Sequence, residues 1–507
     1  MTNLYALLQQ HFPADRSRTV LEAPDGRRMS YAELDAGCAR IARLLGDCGV
    51  RPGDRVAAQI EKSPEALLLY LAVLRSGAVY LPLNTAYKGG EVAYFLQDAE
   101  PRVLVCTPEN EATLGAIAQK AGVGAVLTLG EAGDGSLVER SRGLDPEAGI
   151  VTREGDDLAA ILYTSGTTGR SKGAMLSHAN LGSNTLTLRD TWGFTAGDVL
   201  IHALPVFHTH GLFVATHCVL LSGSRMLFLN RFDADGVLDL LPRATVMMGV
   251  PTFYTRLLAS PRLTREACAG MRLFVAGSAP LLADTFKDFE ARTGHRILER
   301  YGMTETTMIT SNPLDGERIA GTVGFPLPGI EVRIADEDGQ ALPTGAVGVL
   351  EVKGPNVFRG YWRQPEKTAA EFRRDGFFIT GDVATIDERG YIHIVGRAKD
   401  LIISGGFNVY PKEIELCIDQ IPGVQESAVI GVPHPDFGEA VVAVVKRAGG
   451  GPEVSADAIQ STAKAELANF KVPKKVFFVD ELPRNTMGKV QKNLLRDRFK
   501  DSFSSAA

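Results

Sequence analysis

Cysteine is scarce and scattered. The six residues Cys38, Cys48, Cys106, Cys218, Cys268 and Cys417 form no CxxC pair and have no histidine at metal-ligand spacing, which argues against a disulfide-stapled scaffold or a zinc site and fits a reducing compartment. Long apolar runs are missing too. The longest, Ala66 to Leu74, falls far short of the roughly 18 residues a spanning helix needs. The first residues, MTNLYALLQQHF, lack the basic stretch and apolar core of a secretory leader. The expectation is a cytoplasmic protein with no membrane partner. Positive charge is also in deficit: the net charge is -6 and the pI near 5.9, which argues against nucleic acid as a partner. The deficit is uneven, because ten Lys/Arg face four Asp/Glu between Lys464 and Lys500. A basic terminal segment in an acidic chain suits a small anionic ligand.

What is present is globular. At 45% hydrophobic and 22% charged residues, the chain buries a large core, and 507 residues leave room for roughly two to four domains. From Tyr31 to about Gly155, helix-like stretches such as YAELDAGCARIARLLGDCG alternate with short apolar runs such as RVAAQI and RVLVC. The rhythm continues through LAAILYTSG, TVMMGVP and MRLFVAGSAP, each read as a strand followed by a helix. An α/β fold with a largely parallel, doubly covered sheet follows. From about Thr322 to Arg397 short alternating runs take over, and VATI-DERG-YIHIVG reads as a β-hairpin, giving a β subdomain. Beyond GRAKD the pattern turns α+β. Pro411 opens a helix with Ile414, Cys417, Ile418 and Ile421 on one face, and SAVIGV, AVVAVVK and KVFFVDEL read as strands. The boundary is placed near Lys399, giving an N-terminal domain of residues 1–398 and a small mobile domain of 399–507.

The most informative segment is YTSGTTGRSKGAMLSH, Tyr163 to His178, directly after an apolar strand. Glycines let backbone N–H groups approach phosphate oxygens, the Ser and Thr hydroxyls donate further, and Arg170 and Lys172 add charge. It is no Walker A loop, because GxxxxGK[ST] is absent. Taken alone, such a loop is more often a flexible linker.

With LPVFHTHGL, ERYGMTET, ITGDVATIDERGYIHIVGRAKDLIISGGFNVYPKEIE and LPRNTMGKV following in order, the chain resembles the adenylate-forming superfamily of acyl-CoA synthetases, adenylation domains and luciferases over nearly its whole length. Within it, NTAYKGGEVAYFLQDAEP and FHTHGLF are most similar to the malonyl-CoA synthetase group. The resemblance implies ATP, Mg2+ and coenzyme A as cofactors or co-substrates. It implies nucleotide contacts from Thr164, Ser165, Gly166, Thr167, Thr168, Gly169 and Lys172 in the loop, and from Glu299, Tyr301, Gly302, Met303 and Thr304 in the second motif. Asp382 would hold the ribose hydroxyls with its two acceptor oxygens, and Arg397 would lie beside it. Glu305 and Thr164 would be magnesium ligands. Lys489 would neutralise charge during adenylation, and His208 joins Lys489, Glu305 and Thr164 in the catalytic set. Lys399 takes the hinge position, where rotation would carry Ser404, Gly405 and Gly406 toward the acyl-adenylate for reaction with CoA. Acetylation of Lys489 by a lysine acetyltransferase would silence adenylation.

The acid pocket departs from the superfamily pattern. Arg300 stands immediately before Tyr-Gly-x-Thr-Glu, where most members carry a small or neutral residue, often glycine. A buried guanidinium calls for a second negative group. By residue chemistry alone, a diacid substrate and an internal salt bridge to Glu299 or Glu305 explain it equally, and the resemblance favours the diacid. His208, Thr209, Ser278 and Met308 would shape the pocket, while His210 has no assigned role. Malonate is the expected acid, with methylmalonate as a second. The alternatives are another short-chain or aromatic acyl-CoA synthetase, a standalone enzyme loading a carrier protein, and a ligand-binding relic.

Overall fold

The computed structural model describes residues 3–164, 171–404, 407–435, 437–485 and 488–503. The chain divides into two compact units, Met1–Glu331 with Val352–Phe378, and Val332–Glu351 with Ile379–Ala507. The second unit begins well before Lys399, because the hairpin Phe378–Ile386 and Ile392–Arg397 groups with the C-terminal part.

The first unit holds two large sheets. One orders the strands Ala125–Thr128, Val103–Cys106, Arg55–Gln59, Val79–Pro82, Leu158–Thr164 and Lys172–Ser177. The first five are mutually parallel, and VLVC and VYLP are buried at every position, the near-continuous apolar pattern of strands covered on both faces. The helix Pro64–Arg75 starts on the Ser63 N-cap with proline at its first position, where a missing N–H costs nothing. The other sheet runs Phe325–Pro326, Thr307–Ser311, Leu298–Met303, Leu273–Ala276, Val246–Gly249, Val199–His202, Arg225–Phe228, Thr19–Glu22 and Arg28–Ser30.

TVMMGVP and MRLFVAGSAP are strands followed by the helices Pro251–Leu258 and Ala283–Thr293. LAAILYTSG is a strand, but no helix follows directly. The chain returns as the antiparallel strand Lys172–Ser177, with Thr164 opposite Lys172. The helix His178–Thr191 starts only behind the Ser177/Asn180 capping box. The two motif ends, Thr164 and Lys172, are thereby pinned side by side.

The ERYGMTET segment forms a second hairpin, Leu298–Met303 against Thr307–Ser311, with a bulge at Tyr301/Gly302. A Cβ on Gly302 would lie 1.9 Å from the Thr307 carbonyl oxygen and 2.8 Å from the Met308 Cα. Both obstacles are backbone, so no rotamer change relieves them. Gly302→Ala is expected to destabilise the protein by about 2–4 kcal/mol, read as a lower urea midpoint at unchanged slope; a wild-type midpoint would contradict the packing.

Glu331–Ala335, Gly348–Lys353, Phe378–Ile386 and Ile392–Arg397 form a four-stranded sheet whose residues fall mostly in the second unit. A further sheet comprises Phe407–Val409, Ile402–Ser404, Gly438–Arg447 and Val424–His434, with Lys475–Val479 parallel to Gly438–Arg447. The helix Pro411–Asp419 buries Ile414, Cys417 and Ile418, and Ile421 lies just past its end.

Candidate active site

Parallel pairing of Leu273–Ala276 with Leu298–Met303 sets Ala276 opposite Glu299 and brings Gly277 against Arg300. A Cβ at Gly277 would stand 2.4 Å from the guanidinium carbon, so this glycine makes room for the arginine. Arg300 is only 2% exposed. Its Nε and Nη2 meet no acceptor among the described residues. Burial pushes the guanidinium down to about 9, against the opposing pull of Tyr254 and Glu299, and it remains a cation at neutral pH. Among the described residues Arg300 forms no salt bridge. The Glu299 carboxylate accepts from the Leu281 N–H at 3.0 Å, and Glu305 accepts from the Tyr361 hydroxyl at 3.0 Å.

Around Arg300 lies a histidine turn. His208 is half-buried, and burial plus the Arg300 charge push it down to about 4, so it is neutral at pH 7. Thr209 is buried and its Oγ1 has no partner among the described residues. His210 opens a π-helical turn, His210–Ala215, an irregularity common at functional sites. It is wholly buried, and burial followed by Arg300, His208 and His202 hold it well below its usual range. Its Nδ1 lies 3.4 Å from the Ser278 Oγ, and its Nε2 is unmatched among the described residues. Ser278 adopts φ 71°, a left-handed conformation uncommon for serine. Met308 is buried at the base of the hairpin, its carbonyl held by Asn184 at 2.8 Å. Unmatched polar atoms of Arg300, Thr209 and His210 in one buried region mark a place where a polar ligand completes the hydrogen bonding.

Glu305 sits in the turn of the second hairpin, 6% exposed. The Tyr361 hydroxyl lies 3.0 Å from Glu305 Oε1 and 2.6 Å from Glu371 Oε2. Lys172 reaches Glu371 Oε1 at 3.1 Å and its ammonium stands 4.4 Å from the centre of the Tyr361 ring. Burial, Glu305 and Glu371 all raise the Tyr361 phenol, which stays protonated as a donor. Burial pulls Glu371 up, but hydrogen bonds from Tyr361, Lys367 and Lys172 outweigh it and hold the carboxyl below its usual range. A chain Lys172–Glu371–Tyr361–Glu305 thus ties the phosphate-loop cation to the candidate magnesium ligand. Thr164 ends its strand with Oγ1 3.5 Å from the Lys172 carbonyl. Ser165, Gly166, Thr167, Thr168 and Gly169 lie outside the described residues. Tyr301, Gly302 and Met303 complete the strand, and Thr304 is half-buried beside Glu305.

Tyr361→Phe removes the one proton shared by the buried Glu305 and the partly buried Glu371 carboxylates. We expect a loss of about 1–3 kcal/mol in stability and a shift of the magnesium dependence of ATP/pyrophosphate exchange to higher concentration. A wild-type magnesium profile would show that Tyr361 does not set the state of Glu305.

In the second unit Asp382 and Arg397 face each other across paired strands, Arg397 Nε lying 2.6 Å from Asp382 Oδ1. Asp382 is 3% exposed. Lys399 lies in the 3-10 turn Ala398–Asp400. Ser404 ends a strand and is buried, while Gly405 and Gly406 lie outside the described residues. The Lys489 residue is exposed, yet desolvation of its ammonium, then Arg397 and Lys399, lower it to about 8 against Asp382 and Asp400. Lys489, Asp382 and Arg397 therefore share one electrostatic neighbourhood.

Sequence reasoning missed Tyr361, Glu371 and Gly277. Nothing local marks them, since Tyr361 and Glu371 meet Glu305 and Lys172 only through tertiary pairing. His210 stands inside the FHTHG motif, yet its residue type alone gave it no role.

A magnesium ion suits this donor set. Glu305 offers a hard carboxylate oxygen, the ligand type Mg2+ takes alongside substrate phosphates, and no group of three or more His, Cys, Asp or Glu able to hold a metal occurs among the described residues. No helix among the described residues is long and apolar enough to cross a membrane.

The AMP-binding enzyme family matches residues 8–362, and the AMP-binding enzyme C-terminal domain matches residues 413–489. A feruloyl-CoA synthase from Amycolatopsis sp is 39% identical over 94% of this chain and 94% of its own length. A malonate–CoA ligase from Arabidopsis thaliana is 34% identical over 93% of this chain and 85% of its own. The crystal structure of ATP-bound MatB from Rhodopseudomonas palustris superposes with a TM-score of 0.97 at 60% identity, covering 99% of both chains.

Proposed function

The chain belongs to the AMP-binding enzyme family, and from that premise we propose that it makes malonyl-CoA from malonate, ATP and coenzyme A. It is an AMP-forming acid–thiol ligase. The observation that carries the choice of acid is Arg300, a buried cation with two nitrogens unmatched among the described residues. One malonate carboxylate neutralises it, and each charge-assisted bond contributes about 1.5–3 kcal/mol. The other carboxylate is left free to react.

Attack of that carboxylate on the α-phosphate releases pyrophosphate, so catalysis is mainly alignment and charge neutralisation. Arg300 anchors the distal end of the acid, and neutral His208 with Thr209 and Ser278 offer hydrogen bonds beside it. Asp382, held by Arg397, accepts from the ribose hydroxyls. Lys489 supplies positive charge at the reacting oxygens. Glu305 and Thr164 would hold Mg2+, which supplies charge neutralisation on the phosphates. Lys399 is the pivot on which the C-terminal part turns between adenylation and thioester formation, with Ser404 on the face serving CoA. Met308 narrows the pocket to three carbons, and methylmalonate enters because one methyl is worth only about 1–3 kcal/mol of discrimination.

The aromatic reading draws support from the feruloyl-CoA synthase relative. An apolar ring against Arg300 leaves the buried charge uncompensated, which disfavours it. ATP/pyrophosphate exchange with malonate, methylmalonate, succinate, acetate, ferulate and a fatty acid, followed by CoA addition, decides between them. Malonate should lead. Preference for ferulate would overturn the assignment.

A further inference from the structure

Lys489 springs from a tightly bonded strap. Asn485 N–H donates to the Lys489 carbonyl at 2.9 Å, and Gly488 N–H donates to the Asn485 carbonyl at 2.9 Å. Lys489 N–H donates to Asn485 Oδ1 at 2.9 Å, and Arg484 and Val490 form an antiparallel bridge. Gly488 takes φ 75°, a turn that glycine adopts without a Cβ penalty. Leu482 and Val490 pack this strap against the apolar core of its own unit, and the Arg484 side chain adds a polar tie. The Arg484 guanidinium donates through Nη1 to the Gly488 carbonyl at 2.6 Å and through Nη2 to Glu426, on the long strand Val424–His434. Arg484 and Glu426 are 28% and 22% exposed, so the pair is shielded from solvent over most of its surface. Burial raises the Glu426 carboxyl and Arg484 opposes that rise, so the carboxylate depends on this partner.

A lysine side chain has a flexible four-carbon stem, and the protein can restrict it only through the backbone from which it starts. A misplacement of about 1 Å at a reacting centre costs on the order of a hundredfold in rate. We propose that Arg484 is a positioning residue for Lys489: anchored on Glu426, it clamps the Gly488 carbonyl and fixes the backbone from which the ammonium reaches the reacting phosphate. Its planar fork can hold two acceptors at once; a lysine ammonium lacks that fixed geometry. The inference rests on the reading of Lys489 as the adenylation lysine.

The test separates the half-reactions. For Arg484→Ala we expect the kcat of malonate-dependent ATP/pyrophosphate exchange to fall about 10–100-fold, with KM for ATP and malonate within about twofold and thioester formation from supplied acyl-adenylate at the wild-type rate. Arg484→Lys should recover part of the loss. Glu426→Gln, which keeps the volume of the site, should give a smaller loss confined to the same half-reaction. Combined with Lys489→Ala, Arg484→Ala should add nothing further, because the clamp acts only through that ammonium. Exchange at the wild-type rate in Arg484→Ala, equal slowing of both half-reactions, or a double variant slower than Lys489→Ala by the full Arg484 factor would each overturn the proposal. If Lys489→Ala itself leaves exchange intact, the underlying reading fails; if Lys489→Ala abolishes exchange and Arg484→Ala does not alter it, only the positioning role fails.

Discussion

Lys489→Ala is expected to slow malonyl-adenylate formation by about two to three orders of magnitude while leaving thioester formation from supplied acyl-adenylate at the wild-type rate. The first half-reaction develops negative charge between the carboxylate and the α-phosphate, where a cation placed in advance lowers the barrier. The second has no such requirement at that lysine. The surroundings tune the ammonium, since desolvation, Arg397 and Lys399 lower it to about 8, opposed by Asp382 and Asp400. A cation whose folded value is depressed is charged below that value, so adenylation should be supported at neutral pH and fall as pH rises through about 8. Pyrophosphate exchange followed across pH 6.5–9.5 reads this limb. An alkaline limb that persists unchanged in Lys489→Ala would assign it to another group.

Some of the contacts around these residues were legible in the sequence, and those that were not have physical causes. Asp382 and Arg397 stand in neighbouring strand-like runs separated by a turn signal, and the hairpin pairs them directly. Local pattern suffices there because the contact is local. LAAILYTSG was harder. An apolar run at a glycine-rich loop fits either a crossover helix or an antiparallel return, and the helix start at His178 comes six residues after the return strand begins. The Tyr361–Glu305 contact spans 56 residues, and Lys172 meets Glu371 across 199. No periodicity encodes such pairs, since sheet order alone brings them together. Arg300 is the intermediate case. Its residue type announced a buried charge in search of a partner, and the structure adds that Glu299 accepts from the Leu281 N–H and Glu305 from the Tyr361 hydroxyl.

The second large effect concerns that arginine. Arg300→Ala is expected to lower kcat/KM for malonate by about two to three orders of magnitude, the equivalent of losing two charge-assisted bonds. Arg300→Lys should recover little, because an ammonium cannot match a carboxylate with two parallel donors. The apo protein should respond in the opposite sense. A cation buried with no ion-pair partner among the described residues costs stability, and burial already drives Arg300 down to about 9. Arg300→Met, of similar length and apolar, should therefore raise the Tm of the ligand-free protein. Malonate should raise the Tm of the wild type and leave that of Arg300→Met unchanged. An arginine serving the fold alone would give the reverse: a less stable apo variant and an undiminished response to malonate.

Whether Arg300 reads the distal carboxylate of the acid is decided by comparing ATP/pyrophosphate exchange for malonate and its monomethyl ester in wild type and in Arg300→Met. The ester keeps the reacting carboxylate and removes the distal charge. Wild type should prefer malonate by at least about a hundredfold, and Arg300→Met should lower that ratio to near one. A ratio near one in the wild type, or a large ratio undiminished in Arg300→Met, would contradict a role for Arg300 in reading the acid.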